Sequence, residues 1–540
     1  MPDTAFSIRE RTARLQQDWR QRAEAMQKWY RLVQLFNDLH QENMESVISS
    51  DPRTSYNMAL WLLTPRTGSF VIDTEGWTEP ELIAASAVQG YADRQFRHVN
   101  QQSRVSLFGS FQTHLLKLML STGWYAFVAL PVRDGWHMEV WNPAQVFPSF
   151  NSDRELVEVA RIYTVSADQA NQKVVQGGWQ APSRPWFGPV NVHTHWRLRN
   201  GVVEHAVVMG THLAKPYEPT GFRRIPVYTG PISGLPDDGS IMGGQDWKAD
   251  IGQALIAPIA DLTKNYDKML TYMQQLLRDT ANPRWVEKTQ QGGVLTPEKL
   301  YARGAIFSIG IDEEVGPLQT PSIPGEMRTH QFDLRAQLQR AAFSDISFGS
   351  AVGNVSAFMM SNVTASSRQI LDPYRDAFMA VLGQAATDML DYQRQNGVGM
   401  SPWPVELPEH VTLNYAYDIQ IPGDFLQRAN SARILNPNFR ISNQTLTEIL
   451  LPEIQTFVEE RGKLQAEDAV RHPGFQRLII AQELRRAAQE ATQLGDTEFA
   501  QNILSVIEQL RTEGASGDTG VPDAALGGGM APSLDEILRS

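Results

Sequence analysis

Apolar residues recur at steps of three and four along three long segments, 246–280, 325–343 and 362–396, and the two stretches between them break that rhythm. In the first segment Ile251, Leu255, Ile259, Leu262, Tyr266, Leu270, Met273 and Leu277 share a face, which predicts an amphipathic helix opening at the good N-cap Asp246. Such a helix would run about 50 Å at roughly 1.5 Å per residue, and Pro258 predicts a kink in it. Met327, Leu334, Leu338 and Ala341 stripe a shorter helix, long enough to pack back along the first. Ile370, Tyr374, Phe378, Val381, Ala385 and Met389 stripe the third, which should kink at Pro373 and end before Gly397.

The interruptions differ in kind. Residues 281–324 read as a small β module, with short strands at Pro283–Lys288, Tyr301–Gly310 and Val315–Leu318 between glycine and proline turns. About 40 residues make no stable core alone, so the module needs neighbours to cover its edges. Residues 344–361 form a loop punctuated by Gly349 and Gly353, yet Phe348, Val352, Phe358, Met359 and Met360 are too apolar for a solvated connection.

Towards the start, Trp19, Met26, Tyr30, Val33, Phe36 and Leu39 recur at helical steps through 5–47, and helical patterns continue to Leu120. After Gly123 the period changes to two, predicting strands at 124–130, 136–141, 157–165, 190–199, 202–209 and 225–229. This is an antiparallel β-rich unit inside a mainly helical α+β chain. A strand is expected between Pro404 and Ile421, then helices at 424–434, 442–450, 453–468 and 474–512. The last stretch, 513–540, has the Gly- and Ser-rich composition of a flexible tail. The organisation expected is 1–245, 246–280, 281–324, 325–343, 344–361, 362–423, 424–512 and 513–540.

Composition narrows the class. With 540 residues and 42% hydrophobic content the chain is too long for one ordinary core and apolar enough for more than one packing unit. Its opening residues contain no apolar signal region, and the most hydrophobic stretch, His114–Val132, is cut by Lys117 and by Ser121, so no membrane span is expected. The absence of cysteine excludes disulfides and thiolate metal sites. A net charge of −12 argues against tight binding to nucleic-acid phosphates.

Catalytic signatures mostly fail. Gly243, Gly244 and Lys248 lack the spacing of a phosphate-binding loop, and Ser350 between Gly349 and Gly353 is not a nucleophile elbow. His193 and His195 alternate on a predicted strand and share a face, with His205 and His212 nearby in sequence. Without cysteine or a clear carboxylate partner they read as ordinary strand histidines rather than as a metal site. No cofactor is expected, and the sequence singles out no acidic pair.

The order of parts resembles that of the portal proteins, the head–tail connectors of tailed double-stranded DNA bacteriophages, with the short-tailed type as the expectation. The resemblance covers about 25–500 and is carried by Asp246, Trp247 and Lys248 running to Arg278 and Asp279, the insert from Pro283 to Pro324, the loop from Asp345 to Asn354, and the helix opening at Asn362–Ser367. Similar short-tailed proteins often have an acidic residue after Thr-Ala at that opening, where this chain has Ser366 and Ser367.

The resemblance implies a wing, stem, clip, stem, tunnel loop, kinked helix and crown in that order. It implies a non-enzymatic ring of about twelve subunits at the capsid vertex of the virion, assembled in the host cytoplasm. In such a ring Phe348, Gly349, Val352, Gly353, Asn354 and Phe358 would face double-stranded DNA passing without sequence specificity. Arg284, Trp285, Glu287, Lys288, Tyr301 and Arg303 would dock the terminase large subunit and the tail adaptor proteins, with major capsid and scaffolding proteins as further partners. The alternatives are a soluble α+β hydrolase and another virion ring such as a tail adaptor.

Overall fold

In a computed structural model the chain divides into two units, Met1–Phe425 and Leu426–Ser540. The structure describes residues 3–36, 46–234, 251–281, 285–288, 314–317, 325–341 and 357–419, apart from short stretches and single positions within those ranges, with a few isolated positions elsewhere. The elements described here all belong to the first unit. Of the helices expected over 424–512, only positions 482, 484–487 and 505 are described, and these are helical; the N-cap expected at Asp246 and the loop 344–356 lie outside the described residues.

The N-terminal region is two helices rather than one. Helix α1 (Ala5–Asp18) starts from a capping box in which Thr4 and Ser7 satisfy each other's backbone, and α2 (Arg20–Val33) follows a break at Trp19. Trp19 is drawn out of helical register because its ring is buried and its Nε1 donates to the Pro148 carbonyl at 2.6 Å. The break also moves the buried face: Met26, Trp29 and Leu32 are inside, whereas Tyr30 and Phe36, expected inside, are exposed. Arg22 is 1% exposed, stacks on Trp19 and Trp124 at 4.5 and 4.4 Å and donates to the carbonyls of Pro143 and Val146. Burial pulls its guanidinium down to about 9.

Three further helices, α3 (Asp51–Leu63), α4 (Glu79–Arg104) and α5 (Phe111–Thr122), lead into the sheets. Helix α5 stops at Gly123, which adopts φ +72° and donates to the Met119 carbonyl at 2.9 Å. A Cβ there would meet the Gln253 backbone at 2.3 Å, so the turn needs glycine for space as well as for conformation.

All described strand pairs are antiparallel. Strands β2 (Trp124–Val132) and β3 (Gly135–Val140) pair with each other, and β9 (Val227–Pro231) adds to β2 in the order β3-β2-β9. A five-stranded meander runs β4 (Val146–Phe150), β5 (Leu156–Val165), β6 (Val190–Arg199), β7 (Val202–Met209) and β8 (His212–Pro219). Helix α6 (Ala167–Gly177) crosses between β5 and β6 and covers one face with Ala170 and Val174. Ala126, Val128, Val159, Trp196 and Val203 fill the space between the two sheets.

The expected long first helix is shorter than its apolar stripe. Pro258 does not kink it; a 3-10 turn at Ala257–Ile259 carries Pro258 and α7 (Ala260–Ala281) begins just after it. Proline is tolerated in a first turn, where its missing N–H would have no partner. After α7 comes a two-stranded ribbon, β10 (Trp285–Lys288) with β11 (Glu314–Pro317), and then α8 (Gly325–Ala341), which packs back against α7 with Leu334 and Leu338 buried. No described helix is long and apolar enough to cross a membrane.

The third helix, α9 (Ala357–Gln395), starts five residues earlier than expected and continues through Pro373. Phe358, Met359 and Met360 therefore belong to the helix and not to the preceding loop, because no glycine or proline stops helix formation between Ala357 and Asn362. At the other end Gly397 donates to Arg394 and Val398 to Gln393, the paired bonds of a Schellman cap, with Gly397 at φ +62°. Leu371, Tyr374, Phe378, Val381, Leu382, Ala385, Ala386 and Met389 are all buried against β2 and β12 (Leu413–Ala416). Strand β12 pairs with β1 (Ser69–Ile72), closing Phe70, Phe96, Phe111 and Tyr415 into an edge-to-face aromatic cluster.

Two glycines in the same conformation separate strain from crowding. Gly178, at φ +62° after α6, has open space where a Cβ would lie, whereas Gly123 does not. Gly178→Ala should lower the urea unfolding free energy by about 1 kcal/mol, and Gly123→Ala by about 3 kcal/mol or more as backbone clash adds to strain. Equal losses would mean that Gln253 is not packed against this turn.

Candidate functional site

The strand register assembles a polar face on the five-stranded sheet. Alternation turns His193, His195 and Arg197 of β6 to one side, opposite Ile162, Ala160 and Glu158 of β5 and Val208, Ala206 and Glu204 of β7. Helix α1 covers this face, burying Ile8, Thr12 and Leu15 and bringing Arg11 to its rim. His205 lies on the opposite side, stacked on Trp196 at 4.0 Å, and His212 bonds at the edge to the Gln180 carbonyl at 2.9 Å.

His195 has a carboxylate partner after all. Its Nε2 donates to Glu158 Oε1 at 2.6 Å, which leaves Nδ1 to accept from the Tyr217 hydroxyl at 2.6 Å. Arg11 binds the same carboxylate with two nitrogens, Nη2 to Oε2 at 3.0 Å and Nε to Oε1. Arg197 donates to Glu204 at 2.6 Å and to Asp3 at 2.8 Å, and stacks 3.5 Å from the centre of the Tyr217 ring. Thr12 Oγ1 lies 2.8 Å from His193 Nδ1 and donates to the Arg9 carbonyl at 2.9 Å.

Electrostatics follows from this enclosure. Burial pushes the Glu158 carboxyl up, but the hydrogen bonds from His195 and Arg11 outweigh it and hold the group at about 2. Burial pulls His195 down, partly offset by Glu158, and pulls His193 to about 4 with Arg9 adding to the effect. Burial lifts the Tyr217 hydroxyl to about 12, so it stays a donor. Both ring nitrogens of His195 are engaged, and no group of three or more metal-ligating side chains is assembled among the described residues. The arrangement fastens α1 to the sheet.

The residues assigned to the clip by resemblance are only partly brought together. Trp285, Glu287 and Lys288 fall on β10, while Arg284, Tyr301 and Arg303 lie outside the described residues. Lys288 faces its register partner Glu314 at 2.6 Å, an exposed pair that solvent screens. Of the loop set, Phe348, Gly349, Val352, Gly353 and Asn354 lie outside the described residues, and Phe358 is on the first turn of α9.

The pattern-based reading found the histidines and missed what holds them. Glu158 alternates with Val157 and Val159 on a strand whose same-side neighbours Ala160 and Ile162 are apolar, which is the signal that its carboxylate points inward. No protein-family model matches the chain, and no curated protein matches it.

Replacing Glu158 tests the fastening. Glu158→Gln keeps the volume but leaves Arg11 and His195 without their anion, and should cost about 3 kcal/mol in urea unfolding at pH 7. The folded carboxyl titrates below its ordinary value of 4.5, so its contribution is present above that value and is lost as pH falls through about 2. The gap between wild type and variant should therefore close in that acid window. A variant as stable as wild type at pH 7 would remove Glu158 from the account of α1 docking.

Proposed function

We propose that the chain is the subunit of a portal ring at a capsid vertex, forming the channel through which DNA is packaged and ejected. The observation that carries the reading is the order of the described elements from α7 to α9. Helix α7 packs on the core through Ala260 and Tyr266 and runs on to an exposed end at Leu277, the β10–β11 ribbon follows in the chain, and α8 packs back on α7 ahead of α9. A β-rich unit ahead of α7 and a long helix with an internal proline after α8 supply the rest of the order. On this reading the five- and three-stranded sheets belong to the wing, α7 and α8 are the stem and the ribbon is the clip.

The ribbon also gives a physical reason for assembly. Two strands of four residues hold no hydrophobic core by themselves, and neighbours repeated around a closed rotation would cover them. Charge fits the task, since a wall with net −12 per subunit holds a sliding polyanion weakly. The loop residues Phe348, Gly349, Val352, Gly353 and Asn354 would contact the duplex through backbone and apolar groups, without reading bases. Terminase and tail adaptor would dock at the clip, and capsid and scaffolding proteins at the outer surface.

A hydrolase remains the second reading, favoured by one cavity of about 440 Å³. There Asp388 accepts from the Tyr228 hydroxyl at 2.8 Å, and burial lifts the carboxyls of Asp388 and Asp391 above the usual range.

Native mass spectrometry distinguishes these. A ring of about twelve copies of a 60.6 kDa chain should appear near 730 kDa; monomers or dimers alone at micromolar concentration, with capsid and scaffolding proteins supplied, would contradict the portal reading. Reversing charge at Arg284, Glu287, Lys288 and Arg303 together should leave that mass unchanged while weakening capture of terminase and tail adaptor by roughly tenfold or more. Undiminished capture of both would place the docking surface elsewhere.

A further inference from the structure

The polar face beneath α1 contains two histidines that hold no charge, set among three arginines and three carboxylates. His193 is 9% exposed and His195 is fully buried. The groups facing them are Arg9 and Arg11 from α1, Asp3 ahead of it, Glu158 from β5, Arg197 from β6, Glu204 from β7 and Tyr217 from β8. Both carboxylates other than Glu158 are taken up by Arg197, and Glu158 is shared between Arg11 and His195. Among the described residues His193 meets the Thr12 hydroxyl and the charge of Arg9, and its ring nitrogen bonds no carboxylate.

We propose that α1 is an acid-released latch, in which protonation of His193, with His195 beside it, frees Ala5–Asp18 from the sheet while the sheet stays folded. The Thr12 hydroxyl can accept from His193 in either protonation state, because its own hydrogen goes to the Arg9 carbonyl. What changes on protonation is therefore charge: a second cation is placed in a closed space beside Arg9. Opening the helix returns the His193 imidazolium to water and away from Arg9.

The fold allows this opening to be local. Helix α1 contributes only Ile8, Thr12 and Leu15 to the buried interior. The other face of the sheet is packed independently, by α6 and by the three-stranded sheet. The chain already leaves helical geometry at Trp19, and Arg22 anchors α2 just beyond, so Trp19 marks the hinge. Release would uncover Ala206, Val208 and Leu213, which Ile8 now covers. The direction is fixed by linkage. His193 titrates at about 4 when docked and near 6.5 when free, so docking is fully supported above 6.5 and weakens as pH falls towards 4. Glu158, held at about 2, stays ionised throughout that window.

Hydrogen–deuterium exchange of the full-length protein between pH 7 and 5, corrected for the intrinsic pH dependence of amide exchange, tests the latch. Opening of residues 5–18 should increase roughly 20-fold over that range from His193 alone, with little change in β6 and β7. His193→Gln should flatten the increase. Arg9→Gln, a change at an exposed position that leaves the fold intact, should reduce it by returning His193 towards its ordinary value. No increase in wild type, an equal increase in both variants, or opening of β6 and β7 together with α1 would each overturn the proposal.

Discussion

The first unit is governed by the need for the chain to come back. The core built by α4, α5 and β2 draws many of its buried side chains from α9 and β12, which follow more than a hundred residues later. Phe70 cannot be covered until Tyr415 arrives, and the inward face of β2 waits for Phe378 and Leu382. Helices α7 and α8, which lie between β2 and α9 in the chain, touch that core through Ala260, Tyr266, Leu334 and Leu338 and form an excursion whose two ends are tied to it. An excursion that must leave and return at neighbouring points favours two helices packed against each other, and α7 and α8 are that pair. Burial of each large apolar side chain on α9 is worth about 1.5–3 kcal/mol, enough in sum to hold the ends of the excursion in place.

The N-terminal arm is attached by different means. Instead of a broad apolar interface, α1 uses a charged and hydrogen-bonded seam, whereas α2 buries Met26, Trp29, Leu32 and Val33 and adds one arginine between two indole rings. Breaking one partner in such a seam is costly because the other remains buried, yet the seam as a whole adds less than an apolar face of equal size. That makes α1 a separable element on an otherwise tightly packed wall, and it is why its docking responds to charge.

What was legible in the sequence is what depends on short-range period. The stripe Tyr374, Phe378, Val381, Ala385, Met389 is buried as its spacing requires, and the alternating strands from Trp124 to Met209 form where the period of two begins. The readings that failed depend on longer range. No glycine or proline announces the break at Trp19, which exists because an indole finds a carbonyl 129 residues away. Pro258 was expected to bend a helix it in fact introduces, since proline is compatible with either role and the choice is made by packing. Glu158 and His195 are 37 residues apart, and only the register of β5 on β6 reveals that they touch.

On the proposed portal reading, the described ribbon and the paired helices that flank it would be completed by copies of the same chain. The most direct test is to image the purified full-length protein by negative-stain electron microscopy. The account predicts closed rings in end-on view, each with a central opening wide enough for a DNA duplex and with paired helices running along the channel axis once averaged at higher resolution. A field of separate compact particles with no central opening, under conditions that supply capsid and scaffolding proteins, would contradict it.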